Sequence, residues 1–253
     1  MDIKPHKVKS WIFHKEITDD EKEEFTVRSH KLCDLYRGAT ALSSKGIRVS
    51  SIDEKTGIQA LEFKARDEIK PGQVALRDSE YIRHGTRCLT AVFDVVSGKL
   101  VYHKIEETRK EEDFVAFIKE FVSTDPDPEH VIVLDQLNTH KSAQLVEFVA
   151  QYCDIKYDLG KKGKHGILKN MTTRRKFLED ESHKLRFLFT PRHSSWLNQI
   201  EIWFGILTRR LLKRLNVNSI ERLIERVDDF IIFFNKVMAR PFKWTYTGKV
   251  LNA

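Results

Sequence analysis

Apolar residues recur at helical spacing in several separate segments of this chain. Between Glu111 and Val122, for example, they stand at positions i, i+3, i+4 and i+7 counted from Phe114. The pattern predicts helices over residues 1–45, 111–122, 142–152, 198–215 and 220–234. We interpret the first segment as a helical arm, whose DDEKEEF run suits a helix start because acidic residues are favourable in a first turn.

Short β-rich runs lie between these helices. GIRVSSIDEKTG predicts a strand that ends in a turn, and residues 85–105 predict a hairpin joined at Ser97-Gly98. The solid apolar run at 131–134 predicts a buried strand, and LRFLFT predicts another. The order of these elements predicts an α/β fold, with a mixed sheet over residues 46–253 and helices on both of its faces.

Composition adds a charged surface to this picture. Of the 253 residues, 41% are hydrophobic and 32% are charged, which is typical of a folded domain. No apolar stretch approaches the ~18 residues that cross a bilayer, and MDIKPHKVKSWI lacks the apolar core of a signal peptide. We therefore expect a cytoplasmic protein without a membrane partner. The three cysteines form no CxxC pattern, so neither a disulfide framework nor a zinc site is indicated.

The net charge of +7 favours a polyanionic partner. Most of this charge lies in residues 155–186, which contain ten Lys/Arg and four acidic residues. Nucleotide-driven chemistry is not supported, because the sequence contains neither a GxxxxGK[ST] phosphate loop nor a GxGxxG fingerprint. The basic residues lack interleaved aromatics, which suits neutralisation of a nucleic-acid backbone rather than base reading. The predicted contacts are Lys161, Lys162, Lys164, Arg174, Arg175 and Lys176.

Three acidic residues in unlike segments are the candidate catalytic groups: Asp53, Asp135 and Glu201. Asp135 carries the sharpest signal, because the apolar run before it ends abruptly in DQLNTHKS. A buried parallel strand delivers a carboxylate in this way to the edge where open α/β sheets place their sites. Three acids from separate elements can hold two divalent ions, Mg²⁺ or Mn²⁺, for phosphodiester cleavage.

Asp53 and Asp135 also have structural explanations. Asp53 fits a polar turn that closes at Gly57. Asp94 competes with it for a catalytic role, although its place before a hairpin turn predicts exposure to solvent. Glu54 should point to the opposite face of a continuing strand. For Asp135 the alternative is to cap the next helix, which other residues of DQLNTHKS can do.

Three further residues of these motifs have two interpretations each. Glu201 fits a capping box with Asn198, yet it lies at the edge of the buried stripe of its helix, with small residues one and two turns onward. Asn138 and His140 are auxiliary candidates for orienting phosphate or water. Their commoner role in such a position is to start a helix.

Four segments together resemble the DDE transposases of bacterial insertion sequences in the mariner-like superfamily. They are IDEKTGIQALE, EYIRHGTRCLTAVFDVVSGKL, VIVLDQLNTHKS and TPRHSSWLNQIEIWFGILTRRLLKR. The resemblance covers roughly Arg48 to Asn252, and the DxxNxH and SWLNxxE segments in this order are its specific part.

The resemblance implies a ribonuclease-H-like fold, with Asp53 on the first strand, Asp135 after the fourth strand and Glu201 on a late helix. It implies divalent-metal-dependent hydrolysis at transposon ends, then attack of the freed 3′-hydroxyl on target DNA. The implied partners are double-stranded DNA and further copies of the chain in a homo-oligomer engaged with DNA. The implied location is the bacterial nucleoid.

The chain departs from this family in two ways. Asp135 and Glu201 are 66 positions apart, a longer gap than usual, because the basic segment lies between them. At the front, KPHKVKSWIFHKE resembles only the tail of the helix-turn-helix region that reads transposon ends. We therefore expect a catalytic half with an arm that is a remnant of the DNA-binding region. The alternatives are a host repair or junction endonuclease of the same fold and a non-catalytic DNA-binding remnant.

Overall fold

The computed structural model describes residues 18–64 and 80–248 of the chain, and the predicted remnant KPHKVKSWIFHKE lies outside them. The helices are α1 (Asp19–Ser43), α2 (Glu111–Thr124), α3 (Ala143–Tyr152), α4 (Met171–Leu178), α5 (Gln199–Arg210) and α6 (Ile220–Phe233). The strands are β1 (Ile47–Phe63), β2 (Tyr81–Asp94), β3 (Leu100–Glu106), β4 (Glu129–Leu134), β5 (Gly160–Lys161), β6 (His165–Gly166) and β7 (Leu185–Phe189).

Five of the strands form one mixed sheet in the order β3-β2-β1-β4-β7. β1 pairs antiparallel with β2 and parallel with β4, and β4 pairs parallel with β7. The prediction of a mixed α/β sheet is confirmed. No helix within the described ranges is long and apolar enough to cross a membrane.

Helices cover both faces of this sheet, because successive side chains of its strands point to opposite faces and both faces are apolar. Ile52 and Ile132 point to the face where α2 and α3 pack. Val49 and Val131 point to the other face, where α1 packs, and α5 and α6 cover the neighbouring part of that face over β2. The predicted start of α1 is confirmed by a capping box between Thr18 and Glu21. α1, which the sequence predicted to be an arm, packs on the sheet and contributes residues to its hydrophobic core.

The prediction that Asp53 ends a strand is wrong. β1 runs on past it to Phe63 and stays paired with β2 through an irregularity between Lys55 and Ile58. Gly57 has a φ of 72° and serves this bulge instead of a turn. Glu54 points to the opposite face from Asp53, as predicted, because the strand continues.

Asp94 is buried, contrary to the exposure expected for it. Its Oδ1 accepts a 2.6 Å hydrogen bond from the backbone N–H of Ser97 and so shapes the β2–β3 turn. That role explains an acidic residue at this position without any part in catalysis.

The basic insertion folds as a short hairpin, β5–β6, followed by α4. Leu168, Phe177 and Leu178 anchor it in the same core as α2 and α3. Charged contacts join it to α1, among them Arg28 Nη1 to Glu179 Oε1 at 2.6 Å and Lys31 Nζ to Glu181 Oε1 at 2.7 Å. The insertion is therefore a packed part of the domain.

Candidate active site

The sheet register brings Asp53 and Asp135 side by side. Ser51 of β1 is paired with Val133 of parallel β4, the last pair between these strands, and Asp53 and Asp135 each follow that pair by two residues. Alternation points the side chain of Asp53 to the face that α1 and α5 cover. Adjacent strands lie about 4.8 Å apart, so the two acids are near neighbours.

Asp53 shows the electrostatic cost of this arrangement. It is only 7% exposed, and burial together with the nearby Asp135 raises the pKa of Asp53 to about 7. Its Oδ1 accepts a 2.8 Å hydrogen bond from the backbone N–H of Glu54, which favours the charged form only in part. A carboxylate held in this setting attracts a proton or a cation.

Asp135 is held from behind by His140. Nδ1 of the buried His140 ring lies 2.8 Å from Asp135 Oδ1 in an ion pair. On the other side of the ring, Nε2 lies 3.2 Å from Glu54 Oε2. Burial acts to lower the pKa of His140, but the two carboxylates outweigh it and raise the pKa to about 9.

His140 therefore positions Asp135 from the interior and is not exposed to a phosphate or a water molecule outside. Of the two roles that the sequence left open for it, orienting phosphate or water and starting a helix, the second is closer, since His140 lies in the short 3-10 helix Asn138–Lys141. For Asp135, burial acts to raise its pKa, whereas the contact with His140 and the 2.9 Å hydrogen bond from the Leu137 N–H lower it, with a net decrease. Capping of the next helix falls to Ser142, which accepts a 3.0 Å hydrogen bond from the N–H of Leu145.

Asn198 ties the start of α5 to β1 next to Asp53. Its Nδ2 donates a 2.8 Å hydrogen bond to the carbonyl of Ile52 and lies 3.5 Å from Asp53 Oδ2, while its Oδ1 accepts from the hydroxyl of Ser51. The N–H of Ile200 donates in turn to Ser51 Oγ at 2.9 Å. The first turn of α5 is thereby fixed over the acids of the sheet.

Glu201 stands in that first turn. The capping box considered for it is not formed, because the Asn198 side chain makes no cap and is bonded to β1 instead. Burial raises the pKa of Glu201, Lys55 acts to lower it and Asp135 acts to raise it further. Glu201 is thus within electrostatic range of Asp135.

The three carboxylates share one region without forming a closed ligand set. In the described part of the chain, no three His, Cys, Asp or Glu side chains stand close enough together to hold a metal ion. Asp53 and Asp135 accept hydrogen bonds from neighbouring N–H groups of the protein. Joint binding of an ion requires side-chain rotation, which a half-buried Asp135 and Glu201 permit.

A cleft of about 570 Å³ opens beside Asp135. It is lined by the residues that follow β4, including the exposed Asn138, and by those that follow β7, from Thr190 to Ser195. Neither Asp53 nor Glu201 lines it, so it extends the site to one side. A second cleft, of about 290 Å³, lies along Lys55 and Thr208 near Glu201.

Two of the six predicted DNA contacts, Arg174 and Arg175, have partners within the protein. Arg174 is buried and donates to the carbonyls of Leu168 and Lys141, both at 3.2 Å, so it holds the insertion together. Arg175 is paired with Glu24 of α1 at 3.1 Å. The other four predicted contacts are exposed: Lys161, Lys162, Lys164 and Lys176.

Sequence reasoning missed the supporting residues Glu54, Ser51 and Lys141. Glu54 was assigned correctly to the face opposite Asp53, but its partner His140 is 86 residues away. Ser51 carried a weak signal, since a polar residue at a core-facing strand position needs a buried partner. Lys141, buried between the cleft and the core, carried none.

The residues from 48 to 224 match the family model of the DDE superfamily endonucleases. No curated protein is significantly similar to the chain in sequence. Among solved structures, the Mos1 mariner paired-end complex with Mn superposes with a TM-score of 0.53 at 16% identity, covering 89% of this chain and 59% of that one.

The Mos1 strand transfer complex gives a TM-score of 0.54 at 13% identity, with 91% of this chain and 58% of that chain covered. The catalytic domain of Mos1 mariner transposase gives 0.50 at 11%, with 88% and 85% covered. The predicted ribonuclease-H-like fold is confirmed by these superpositions. The chain spans about 59% of the length of the paired-end complex protein.

Proposed function

This chain belongs to the family of DDE superfamily endonucleases, and on that premise we propose that it is the catalytic domain of a DNA transposase. Its reaction is divalent-metal-dependent cleavage at transposon ends, followed by strand transfer to target DNA. Asp53, Asp135 and Glu201 are the proposed catalytic and metal-binding residues.

One observation carries the assignment of these residues. Asp53 follows Ser51 by two residues and Asp135 follows Val133, the partner of Ser51, by two residues, and Asn198 ties the first turn of α5, with Glu201, to β1 beside Asp53. The three acids therefore come from three elements that meet where the parallel pairing of β1 with β4 stops, which supports the proposed site. Sites of open α/β sheets lie at such edges.

The donor set fits divalent cations. Carboxylate oxygens are the ligands that Mg²⁺ and Mn²⁺ prefer, and the raised pKa of Asp53 marks an excess of buried negative charge that a cation would offset. When bound, two ions supply an activated water and neutralise charge on the attacking and leaving oxygens. His140 orients Asp135, and Asn198 sets the distance of α5 from β1.

The comparisons add support for the partners. The Mos1 proteins have been solved as a paired-end complex with Mn, as a strand transfer complex, and as a catalytic domain with Mg. By analogy, this chain would bind double-stranded DNA at transposon ends and at the target, as a homo-oligomer. Its exposed lysines at the insertion, Lys161, Lys162, Lys164 and Lys176, are proposed to contact the DNA backbone.

Cleavage of an end-labelled duplex carrying the terminal repeat, in Mg²⁺ or Mn²⁺, tests the proposal. Asp53→Asn, Asp135→Asn and Glu201→Gln should each abolish cleavage and keep the fold by circular dichroism, with Glu147→Gln on the exposed side of α3 as the matched control. Full cleavage by any of the three variants would remove that residue from the site.

The products separate the remaining alternatives. A transposase joins the freed 3′-hydroxyl of the transposon end to a second duplex, so joined strands should appear on a sequencing gel. A repair or junction endonuclease cleaves branched DNA and needs no terminal repeat. A non-catalytic remnant binds DNA but yields no cut strand in either ion.

A further inference from the structure

The cleft beside Asp135 lies between the segments that follow two neighbouring parallel strands. Leu134 and Phe189 are paired at the ends of β4 and β7, so residues 135–138 and 190–195 leave the sheet at the same edge. Gln136 bridges the two segments by donating a 2.8 Å hydrogen bond to the carbonyl of Thr190. The cleft is thus a built feature with a fixed floor.

Two basic residues line this cleft without an ion pair to Asp135, the one carboxylate among the described residues that line it. Lys141 lines it and is only 6% exposed, and its Nζ donates a 2.9 Å hydrogen bond to a neutral acceptor, the carbonyl of Gln136. Arg192 lines the cleft at its exposed rim. Within residues 18–64 and 80–248, neither Lys141 nor Arg192 forms an ion pair with a carboxylate.

The charges around Lys141 add to the excess of positive charge in the cleft. Burial lowers the pKa of Lys141, and Arg175, Arg192 and Arg28 lower it further, whereas only Asp135 acts to raise it. Asp135 is itself paired with His140. A buried ammonium in this surrounding is costly unless an anion joins it.

The turn after β7 holds Arg192 at the rim. His193 adopts a φ of 55°, an unusual conformation for a residue with a side chain, and Ser194 Oγ donates a 3.1 Å hydrogen bond to the Arg192 carbonyl. The guanidinium is therefore carried on a tight turn rather than on a long loop. Its planar fork matches the oxygens of a phosphate.

We propose that this cleft binds a backbone phosphate of the DNA strand next to the cleaved bond, with Arg192 at the rim and Lys141 at the base. The proposal rests on the proposed function, since Asp135 lines the same cleft and, as a metal ligand, would place the reacting phosphate beside it. The cleft supplies attraction for the strand, while the acids supply the metal ligands. Arg192 is thus a substrate-binding residue that positions the strand.

DNA binding measured in EDTA tests this separately from cleavage. Anisotropy titrations of a labelled duplex over a range of salt give the slope of log K against log salt. Arg192→Gln should lower the magnitude of that slope by about 0.9, the value for one lost phosphate contact, and weaken binding several-fold. Arg192→Lys should keep most of the slope, and Arg226→Gln, an exposed arginine of α6, should leave it unchanged.

Failure of this proposal and of the proposed function give different results. If Arg192→Gln keeps the full slope, the cleft does not bind a backbone phosphate, even where cleavage proceeds. A different outcome also overturns the proposal. Inorganic phosphate would raise the thermal stability of the wild type but not of Arg192→Gln, while the salt slope of DNA binding stays the same in both. The cleft would then bind a free anion and not the DNA backbone. If no duplex is cleaved but the slope falls as expected, the proposed function fails and the phosphate site stands.

Discussion

Glu54 Oε2 lies 3.2 Å from Nε2 of His140, and both side chains are buried. The ring of His140 faces Asp135 with its other nitrogen, so it joins β1 to the segment after β4 behind the acids. With its pKa raised to about 9, His140 is a buried cation at neutral pH. The Glu54–His140 pair therefore fixes the ring that contacts Asp135.

We predict that Glu54→Gln destabilises the domain by roughly 2–4 kcal/mol, because it leaves a buried imidazolium with one carboxylate. The pKa of His140, measured by NMR, should fall. Since this pKa lies above the unfolded value, the stabilisation is present below about pH 6.5 and is lost as the pH rises through about 9. Urea unfolding at several pH values measures it.

Glu62→Gln is the matched control, because Glu62 pairs with His84 at 2.7 Å on the surface. That pair should contribute about 0.5 kcal/mol or less. Equal effects of the two substitutions on unfolding would argue against a positioning role for Glu54.

A second prediction concerns Asp53, whose pKa of about 7 lies above its usual value near 4. The folded state then holds a proton that the unfolded state has lost, so without divalent ions stability falls as the pH rises from about 4 to 7. Asp53→Asn should be more stable than the wild type at pH 8 in EDTA, by roughly 1–3 kcal/mol, with the difference shrinking towards pH 4.

Addition of Mg²⁺ should reverse the order of stability at pH 8, because the wild type gains a bound ion that the neutral amide of the variant holds only weakly. Asp127→Asn, on an exposed loop, should show neither effect. Thermal unfolding curves with EDTA and with Mg²⁺ give both comparisons. An Asp53→Asn protein that is less stable at every pH would contradict the buried-charge argument.

A third prediction tests the tie between α5 and β1. Asn198→Ala removes hydrogen bonds to the Ile52 carbonyl and the Ser51 hydroxyl in a fully buried place, so it should cost roughly 2–3 kcal/mol. Cleavage should fall further than the folded fraction does, because Glu201 loses its fixed position. Asn218→Ala, at an exposed position, should change neither unfolding nor cleavage by a measurable amount.

The sequence predicted the sheet and most helices because these depend on local pattern, while the roles of the candidate acids stay predictions. The apolar run before Asp135 marked a buried strand, and the stripe after Asn198 marked a buried helix. Asp53 was placed at a strand end because Gly57 resembles a turn residue. Only the pairing of β1 with β2 shows that Gly57 forms a bulge within a longer strand.

The roles of charged side chains depended on contacts that no local pattern carries. Arg175 was predicted to bind DNA, yet its partner Glu24 is 151 residues away in α1. His140 was a candidate either for orienting phosphate or water or for starting a helix, and its burial follows from the packing of its ring against Phe114 at 4.3 Å. Charge density in a segment predicts a basic surface but not which of its residues reach that surface.

The last prediction separates the exposed lysines of the insertion from its structural arginines. Lys162 and Lys164 lie in the turn of the β5–β6 hairpin, whereas the exposed Lys45 precedes β1 and the exposed Lys99 lies between β2 and β3, both outside the insertion. Replacing Lys162 and Lys164 by Gln should lower the magnitude of the salt slope of duplex binding by up to about 1.8, because each contact releases about 0.9 counterions. Thermal stability should not change, since both side chains are exposed. The same replacement of Lys45 and Lys99 should leave the slope unaltered. If the two double variants give equal slopes, the hairpin faces solvent or another protein. The DNA backbone must then contact a different surface of the domain.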